Sequence, residues 1–267
     1  MTDISHPSHK KEHSIIDMLL SRNETKISDS ETLLKNVQDR IHDSLKNGYK
    51  YARIVDDSET FLRKHVFQTV EIAVLYVDLV GSTKMSLDLP PDKLSLIISS
   101  FVQEMSYVIS QHDGFVLKFS GDAVIGYFVG KGSSLQAADS AVGCAESMIK
   151  VVENGINPIL GKEKEGVPEL RIKVGIDYGP AVVVQYGAEK KNSFVDLLGS
   201  SINMAAKVQS IAKPNQIVVG DDVYDRLHPS IQEFFVDITK KLSGWTFTSK
   251  QDNKKIYSVY AYEKQSS

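Results

Sequence analysis

In the first third of the chain lies Ile72-Ala73-Val74-Leu75-Tyr76-Val77-Asp78-Leu79-Val80-Gly81-Ser82-Thr83. It is a nearly continuous apolar run that ends in a carboxylate and then in a small, polar turn. Such a run predicts a buried strand. An ionised Asp at its end is costly unless it meets a cation or hydrogen-bond donors. We therefore expect Asp78 to have a partner of one of these kinds.

A second stretch reads Phe115-Val116-Leu117-Lys118-Phe119-Ser120-Gly121-Asp122-Ala123-Val124-Ile125-Gly126-Tyr127-Phe128. Two β-type runs meet at Ser120-Gly121-Asp122, which predicts a hairpin with Asp122 at its tip. If these strands lie beside the first one, Asp78 and Asp122 reach the same sheet edge, where two carboxylates would bind Mg²⁺ or Mn²⁺. Taken singly, Asp78 could instead be a helix N-cap and Asp122 a turn former.

The turn after the first strand offers the complementary half of such a site. Gly81, Ser82 and Thr83 lead into a helix, and a turn of this kind commonly presents main-chain N–H groups to phosphate oxygens. A metal site beside a phosphate cradle indicates phosphoryl chemistry.

Four motifs of the chain resemble the class III nucleotidyl cyclases, the adenylate/guanylate cyclase catalytic domain. The matching segments occur in the family's order over roughly residues 70–262. They are Tyr76-Val77-Asp78-Leu79-Val80-Gly81-Ser82-Thr83, Lys118-Phe119-Ser120-Gly121-Asp122, Val174-Gly175-Ile176-Asp177-Tyr178-Gly179-Pro180 and Asp196-Leu197-Leu198-Gly199-Ser200-Ser201-Ile202-Asn203-Met204-Ala205-Ala206-Lys207.

The order of predicted elements agrees with an α+β fold. The segments predict a ferredoxin-like βαββαβ core. In order, they are the first strand, a helix from Pro90-Pro91-Asp92, the hairpin, a helix over about 134–152 and a strand over 170–178. We expect Gly179-Pro180 to turn the chain into another strand over 181–184. Further elements would extend the core: a strand into Asp196, a helix over about 199–211, a short strand over 217–219 and a final strand over 255–262.

The resemblance implies that Asp78, Asp122 and the main-chain carbonyl of Leu79 hold two divalent cations, Mg²⁺ or Mn²⁺. In the implied reaction, the ribose 3′-hydroxyl of a nucleoside triphosphate attacks the α-phosphorus. The products are a 3′,5′-cyclic nucleotide and pyrophosphate. Two metals would activate the attacking oxygen and neutralise the leaving phosphates.

Lys118 and Asp196 match the two positions with which the family reads the base. A Lys donates to a ring nitrogen of adenine and an Asp accepts from its exocyclic amine, whereas guanine would leave the Asp unpaired. Such a mismatch costs about 1–3 kcal/mol per buried group. The expected substrate is therefore ATP. Taken alone, Lys118 could be an outward-facing strand residue.

Ser200, Asn203 and Lys207 fall on one face of the predicted helix after Gly199. The resemblance implies that Asn203 holds the ribose and the reacting phosphate. Lys207 stands where the family usually has an arginine that stabilises the transition state. A polar stripe of this kind is otherwise typical of a solvated helix face.

The family places one more lysine on the triphosphate, near the C-terminus. Lys250 is the nearest candidate, and Lys254 and Lys255 compete with it. In the family, one chain supplies the metal aspartates and the other supplies the base-reading and transition-state residues. The resemblance therefore implies a homodimer with two shared sites. The alternatives are a nucleotide-binding regulatory domain without turnover, motivated by Lys207, and a cyclase that uses GTP or a pyrimidine nucleotide.

Composition narrows the remaining possibilities. The 267 residues are 42% hydrophobic with a net charge of −3, and no basic run is interleaved with aromatics, so we expect no nucleic-acid binding. Cys144 is the single cysteine and cannot form an internal disulfide, which favours a reducing, cytoplasmic location. No stretch approaches the ~20 apolar residues of a membrane span.

The N-terminal part predicts helices rather than a separate core. We divide the chain into a helical, partly disordered extension over 1–65 and a cyclase-like catalytic domain over 66–267. One short helix is predicted for 12–22, and a better-signalled one begins at Ser28-Asp29-Ser30-Glu31 and carries Leu34, Val37, Ile41 and Leu45 on one face. It should pack either on the catalytic domain or on its copy in a dimer.

Overall fold

The computed structural model describes residues 30–47, 55–130, 132–163, 166–187, 193–249, 252 and 254–263. The predicted helix over 12–22 lies outside these residues. Among the described residues, no helix combines the length and hydrophobicity that a membrane-spanning segment requires.

The described elements follow the predicted order through the core. The helices are α1 (Ser30–Asn47), α2 (Asp56–Lys64), α3 (Ser82–Asp88), α4 (Pro91–Gln111), α5 (Ser134–Val151), α6 (Asn157–Glu163), α7 (Ser200–Ile211), α8 (Asp221–Tyr224) and α9 (Pro229–Gln232). The strands are β1 (Thr69–Leu79), β2 (Phe115–Ser120), β3 (Ala123–Phe128), β4 (Ile172–Tyr186), β5 (Phe194–Leu198), β6 (Gln216–Gly220), β7 (Phe235–Asp237) and β8 (Val259–Tyr262).

One sheet carries all of these strands, in the order β2-β3-β1-β4-β6-β8-β7 with β5 paired to β4. The first four strands have the order of a ferredoxin-like unit, which confirms the α+β prediction. β4 and β6 run parallel, and the other pairs are antiparallel.

Both faces of β1 are covered, which explains its unbroken apolar sequence. Ala73, Leu75 and Val77 face a core that α1, α4 and α5 complete. Ile72, Val74 and Tyr76 face the opposite side, where residues of α2 and α7 cover them. Because side chains alternate along a strand, Asp78 emerges on the side of Tyr76 and α7.

Helix α1 packs on the helical layer of the sheet. Its fully buried apolar residues are Leu33, Val37 and Ile41, so the buried face is rotated slightly from the predicted stripe. Arg40 forms an ion pair at 2.5 Å with Glu104 of α4, whose side chain is buried. Of the two packing modes considered for this helix, the structure shows contact with the core of the same chain.

Three predicted boundaries were wrong. Gly179-Pro180 does not turn the chain, because β4 continues through it. β6 pairs with β4 only up to Ile176 and β5 only from Val182, so between these points β4 has a strand partner on one side, β1, and the ladder tolerates proline.

The C-terminal strand and the second long helix also differ from expectation. β8 begins at Val259 rather than at 255, and an isolated bridge joins Ile256 to Thr248. The short strand β7 was not predicted. Helix α5 passes at Val152 into a π-helical turn that ends at Ile156 and leads directly into α6, so the helical segment is longer than predicted.

Candidate active site

The two aspartates predicted to share a sheet edge are neighbours in the structure. β1 and β3 are adjacent strands, and Val77 is paired with Val124. Asp78 follows directly on Val77, and Asp122 lies in the two-residue turn between β2 and β3. The carboxyl groups of Asp78 and Asp122 are in hydrogen-bonding contact.

This contact shifts the proton affinity of Asp78. Burial, followed by the charge of Asp122 and the contact with its carboxyl group, raises the pKa of Asp78 to about 6. The side chain of Gln209 and the main chain of Leu79 act in the opposite direction, because each hydrogen-bonds the ionised form. A site that holds two carboxyl groups together in partly buried surroundings favours a bound cation.

The donor set fits a hard divalent cation. Oδ2 of Asp122 is buried and has no hydrogen-bond partner among the described residues. A cation would satisfy this oxygen and remove the repulsion between the carboxylates. Within the described ranges, no group of three or more His, Cys, Asp or Glu side chains forms a metal site. Further ligands would have to be main-chain, such as the neighbouring carbonyl of Leu79, or come from water or substrate.

Replacing Asp78 by asparagine is expected to stabilise the metal-free protein. Because the folded-state pKa of about 6 lies above the ordinary 3.8, the ionised carboxylate costs stability above about pH 6. The cost shrinks as the pH falls from about 6 towards 3.8 and is lost only below that value, where both states hold the proton. Since Asp78 is half-buried, we expect a screened effect of about 2–4 °C in Tm at pH 7.5.

The measurement is thermal unfolding in EDTA at pH 7.5 and 4.5, with Asp92→Asn, an exposed position on α4, as the control. A gain in Tm of the same size at both pH values would show that charge repulsion is not its cause.

The predicted phosphate loop leaves β1 at the same edge. Gly81 has a φ of 77°, a left-handed conformation that favours glycine, and it precedes the first residue of α3. The N–H of Val80 donates to the carbonyl of Arg171 at 2.8 Å, which fixes the start of the loop. Ser82 and Thr83 form the first turn of α3, which begins four residues after Asp78.

Lys118 and Asp196, the predicted base-reading residues, are also brought together. Lys118 Nζ donates to Asp196 Oδ2 at 2.5 Å, and the N–H of Leu197 donates to Asp196 Oδ1 at 2.8 Å. Tyr76 lies near this pair. Burial, and then the charge of Asp196, raise the pKa of its hydroxyl. The ammonium of Lys118 on β2 thus meets the carboxylate of Asp196 on β5, and the phenol of Tyr76 on β1 is near enough for the charge of Asp196 to act on it.

Helix α7 presents two different faces. Asn203 and Lys207 are exposed, as predicted, whereas Ile202, Ala205 and Gln209 are buried against the sheet. From the buried side, Gln209 Nε2 donates to Asp78 Oδ2 at 3.2 Å. The helix therefore contacts Asp78 of its own chain through one face and turns Asn203 and Lys207 outward on the other.

The ammonium group of Lys207 lies over an aromatic ring. Its Nζ is 3.7 Å from the centroid of Phe247, a cation–π contact. Both residues line a small cavity of about 260 Å³ together with Trp245 and Leu242. Phe247 thus holds the ammonium group of Lys207 in one position.

The choice among the C-terminal lysines stays open. Lys250 lies outside the described residues. Lys255 Nζ is 3.7 Å from Asp221 Oδ2, and the main-chain N–H of Lys254 donates to Asp252 at 2.9 Å.

Sequence reasoning missed three residues of this region. Tyr76 could have been found from the period of two, because it precedes Asp78 by two residues and shares its face. Gln209 was not predicted because it lies on the buried face of α7, outside the exposed polar stripe that carries Asn203 and Lys207. No local pattern connects Phe247 to Lys207, since the contact joins a helix to a distant, irregular segment.

Comparison with known proteins places this arrangement in a family. The family model described as "Adenylate and Guanylate cyclase catalytic domain" matches residues 65–257. A cytidylate cyclase of Escherichia coli is 25% identical over 204 residues, which cover 71% of this chain and 43% of the relative. A uridylate cyclase of Rhodovulum sp. is 28% identical over 162 residues, 59% and 65% of the two chains. Adenylate cyclase 1 of Rhizobium meliloti is 26% identical over 143 residues, 54% and 21%.

Solved structures show the same fold. The adenylyl cyclase CyaB from P. aeruginosa superimposes with a TM-score of 0.60 at 20% identity, over 74% of this chain and 96% of that one. The guanylyl cyclase Cya2 gives a TM-score of 0.60 at 22% identity, over 74% and 93%. The chain spans between about a fifth and two thirds of the length of the three relatives named here. The protein belongs to the adenylate and guanylate cyclase catalytic domain family, the class III nucleotidyl cyclases.

Proposed function

We propose that the protein is an adenylate cyclase that converts ATP to 3′,5′-cyclic AMP and pyrophosphate, with active sites shared between two copies of the chain. The observation that carries this proposal is the contact between Asp78 and Asp122. Oδ2 of Asp122 is buried there and has no hydrogen-bond partner among the described residues. This pair of carboxyl groups, at an edge that also carries the Gly81 turn, suits a metal-bound triphosphate.

Asp78, Asp122 and the carbonyl of Leu79 would hold two divalent cations, Mg²⁺ or Mn²⁺. When bound, the cations supply positive charge to the attacking oxygen and to the phosphates. The N–H groups of Gly81, Ser82 and Thr83 would bind phosphate oxygens at the same edge. The C-terminal lysine on the triphosphate is proposed to be Lys250, with Lys254 and Lys255 as alternatives.

Asn203 and Lys207 would act on the reacting centre from a second chain. Asn203 would orient the ribose and the α-phosphate through its amide, and Lys207 would stabilise the charge that develops there. Both side chains point away from the sheet face on which their own chain's Asp78 lies, and the buried Gln209 occupies that side. This orientation supports a site assembled between copies.

An exposed apolar surface supports the association of two copies. Outside the core, β4 and β5 form a ribbon in which Val182 pairs with Leu198 and Tyr186 pairs with Phe194. All four side chains are exposed, Phe194 to 80%. Apolar residues that share one face in this way are typical of an interaction site, and we assign this face to the second copy.

Lys118 and Asp196 would select the base. Adenine presents an exocyclic amine to a carboxylate and a ring nitrogen to an ammonium, whereas guanine and uracil present a carbonyl oxygen in place of the amine. Cytosine has the same pattern as adenine, so cytidylate cyclase is the second candidate, and the relatives named cytidylate cyclase favour it. The half-buried Tyr76 beside Asp196 would limit the space for the base.

Turnover of ATP tests the proposal directly. We expect cyclic AMP and pyrophosphate in equal amounts in the presence of Mn²⁺ or Mg²⁺, and no product after chelation with EDTA. Formation of inorganic phosphate and ADP instead would contradict the assignment, since it would indicate attack on a different phosphorus.

Changing Lys118 to glutamate and Asp196 to serine should reverse the selection of the base. Loss of two matched groups at ~1–3 kcal/mol each is expected to lower kcat/KM for ATP by about thirtyfold to ten-thousandfold and to admit GTP. The control is Lys240→Glu, which makes the same charge change at an exposed position. An ATP preference that survives the double change would show that these residues do not read the base.

Lys207→Arg is expected to raise kcat and Lys207→Ala to lower it. Arginine can give two parallel hydrogen bonds to phosphate oxygens and can also stack on Phe247, while lysine gives a compact charge. One additional charge-assisted bond at ~1.5–3 kcal/mol corresponds to about ten- to a hundredfold in rate. KM should change less than kcat in both variants. If Lys207→Ala turns over as fast as the unmodified protein, another residue supplies the charge.

A further inference from the structure

Gln209 is a polar residue in an otherwise apolar contact between α7 and the sheet. Its side chain is only 9% exposed, and its neighbours on the buried face of α7 are Ile202, Ala205 and Val208. Its amide Nε2 donates to Oδ2 of Asp78 at 3.2 Å. Burial of an amide in such a contact is costly unless the amide is hydrogen-bonded. The bond to Asp78 therefore explains why a glutamine is tolerated here.

The main chain fixes the place from which Gln209 reaches Asp78. α7 crosses β4 at Gly175, and a Cβ built on Gly175 would overlap the main-chain N and Cα of Gln209. The helix thus lies against the strand at this one residue, at a distance that only glycine permits. Gly175 is paired with Tyr76 of β1, two residues before Asp78. Strand pairing and close helix packing together bring the amide to the carboxylate.

We propose that Gln209 is a positioning residue for the metal site: it holds the Asp78 carboxylate in one orientation through Oδ2. This inference rests on the proposed function and adds a role for the helix. α7 would serve two sites at once, because Gln209 supports the metal aspartate of its own chain while Asn203 and Lys207 face the partner. A hydrogen bond to a ligating carboxylate typically changes metal affinity by about 10–100-fold.

Binding of Mn²⁺ alone, followed by electron paramagnetic resonance without nucleotide, tests the inference. Gln209→Met keeps the length of the side chain and removes the donor, and we expect its Kd for Mn²⁺ to rise about tenfold. Gln209→Asn keeps the amide but shortens the side chain, so its Kd for Mn²⁺ should rise as well. The control is Gln38→Met, which loses a side-chain donor to the carbonyl of Asn154 on the other face of the sheet. Unchanged Mn²⁺ affinity in both folded Gln209 variants overturns the proposal.

Mixed dimers separate a positioning role from damage to the helix. A dimer of one Asp78→Ala chain and one Asn203→Ala chain has one complete site. That site takes Asp78 from the Asn203→Ala chain and Asn203 from the Asp78→Ala chain. Gln209→Met should raise the Mn²⁺ requirement when placed on the chain that keeps Asp78, and should have little effect on the other chain. Equal effects on either chain would overturn the inference. If Asp78→Ala and Asp122→Ala, each with Gln209 intact, bind Mn²⁺ as tightly as the unmodified protein, the metal site itself is refuted. The role of Gln209 is then refuted with it.

Discussion

Asp78→Ala and Asp122→Ala are each expected to lower ATP cyclisation by about a thousandfold or more, because a metal site supplies several kcal/mol of transition-state stabilisation. Both variants should remain folded, since the two side chains lie at a partly exposed sheet edge rather than in the apolar core. Removal of the Asp122 carboxylate, which repels Asp78, should even stabilise the metal-free protein, whereas Asp78→Ala also leaves the buried Gln209 amide without its partner. The measurement is cyclic AMP formation at saturating Mn²⁺.

Asp92→Ala on the first turn of α4 is the matched control and should leave the rate unchanged. Full metal-dependent activity in either the Asp78 or the Asp122 variant would mean that other residues hold the cations.

Mixing inactive Asp78→Ala with inactive Asn203→Ala is expected to restore activity. Each mixed dimer would contain one complete site, made of Asp78 from one chain and Asn203 from the other. At equal concentrations and free exchange, half of the dimers are mixed and each has one of two sites, so we expect about a quarter of the unmodified rate.

The control mixture is Asp78→Ala with Asp122→Ala. Because one chain supplies both aspartates of a site, no combination of these variants contains a complete pair, and activity should stay absent. The shared-site arrangement is refuted if the first mixture shows no recovery while subunit exchange is demonstrated independently, or if the control mixture recovers.

The core of the fold could be predicted because its signals are local. β1 is a long apolar run that ends in a charge, and the Gly121-Asp122 turn joins two strands of matching length. Helix α4 begins at a proline pair and repeats apolar residues at helical spacing. Each of these features depends on neighbours within a few residues, which periodicity reports directly.

Boundaries that depend on distant partners could not be predicted. Gly179-Pro180 has the composition of a turn, yet the long pairing of β4 with β1 carries the strand through it. β7 is three residues long and is a strand only because β8 lies beside it. The π-helical turn at the end of α5 likewise has no local signal as clear as a proline or a cap.

The candidate site divides in the same way. The spacing of Asp78 and Asp122 at two strand ends predicted their meeting from the residues alone. The meeting of Lys118 with Asp196, 78 positions apart, was expected only from the family resemblance. Gln209 and Phe247 contact site residues through tertiary packing, which neither motif nor periodicity contains.

Incubation with ATP, CTP, GTP and UTP in separate reactions, each with Mn²⁺, tests the central claim most directly. Products are identified by mass spectrometry against authentic 3′,5′-cyclic nucleotides. We predict that ATP gives cyclic AMP at the highest rate, that CTP ranks second, and that GTP and UTP react at least about tenfold more slowly because they leave Asp196 unpaired. A preference for GTP or UTP would contradict the proposed reading of the base. If none of the four triphosphates gives a cyclic product, even with Lys207→Arg, the proposed cyclase activity is contradicted. That result would indicate a nucleotide-binding regulatory domain.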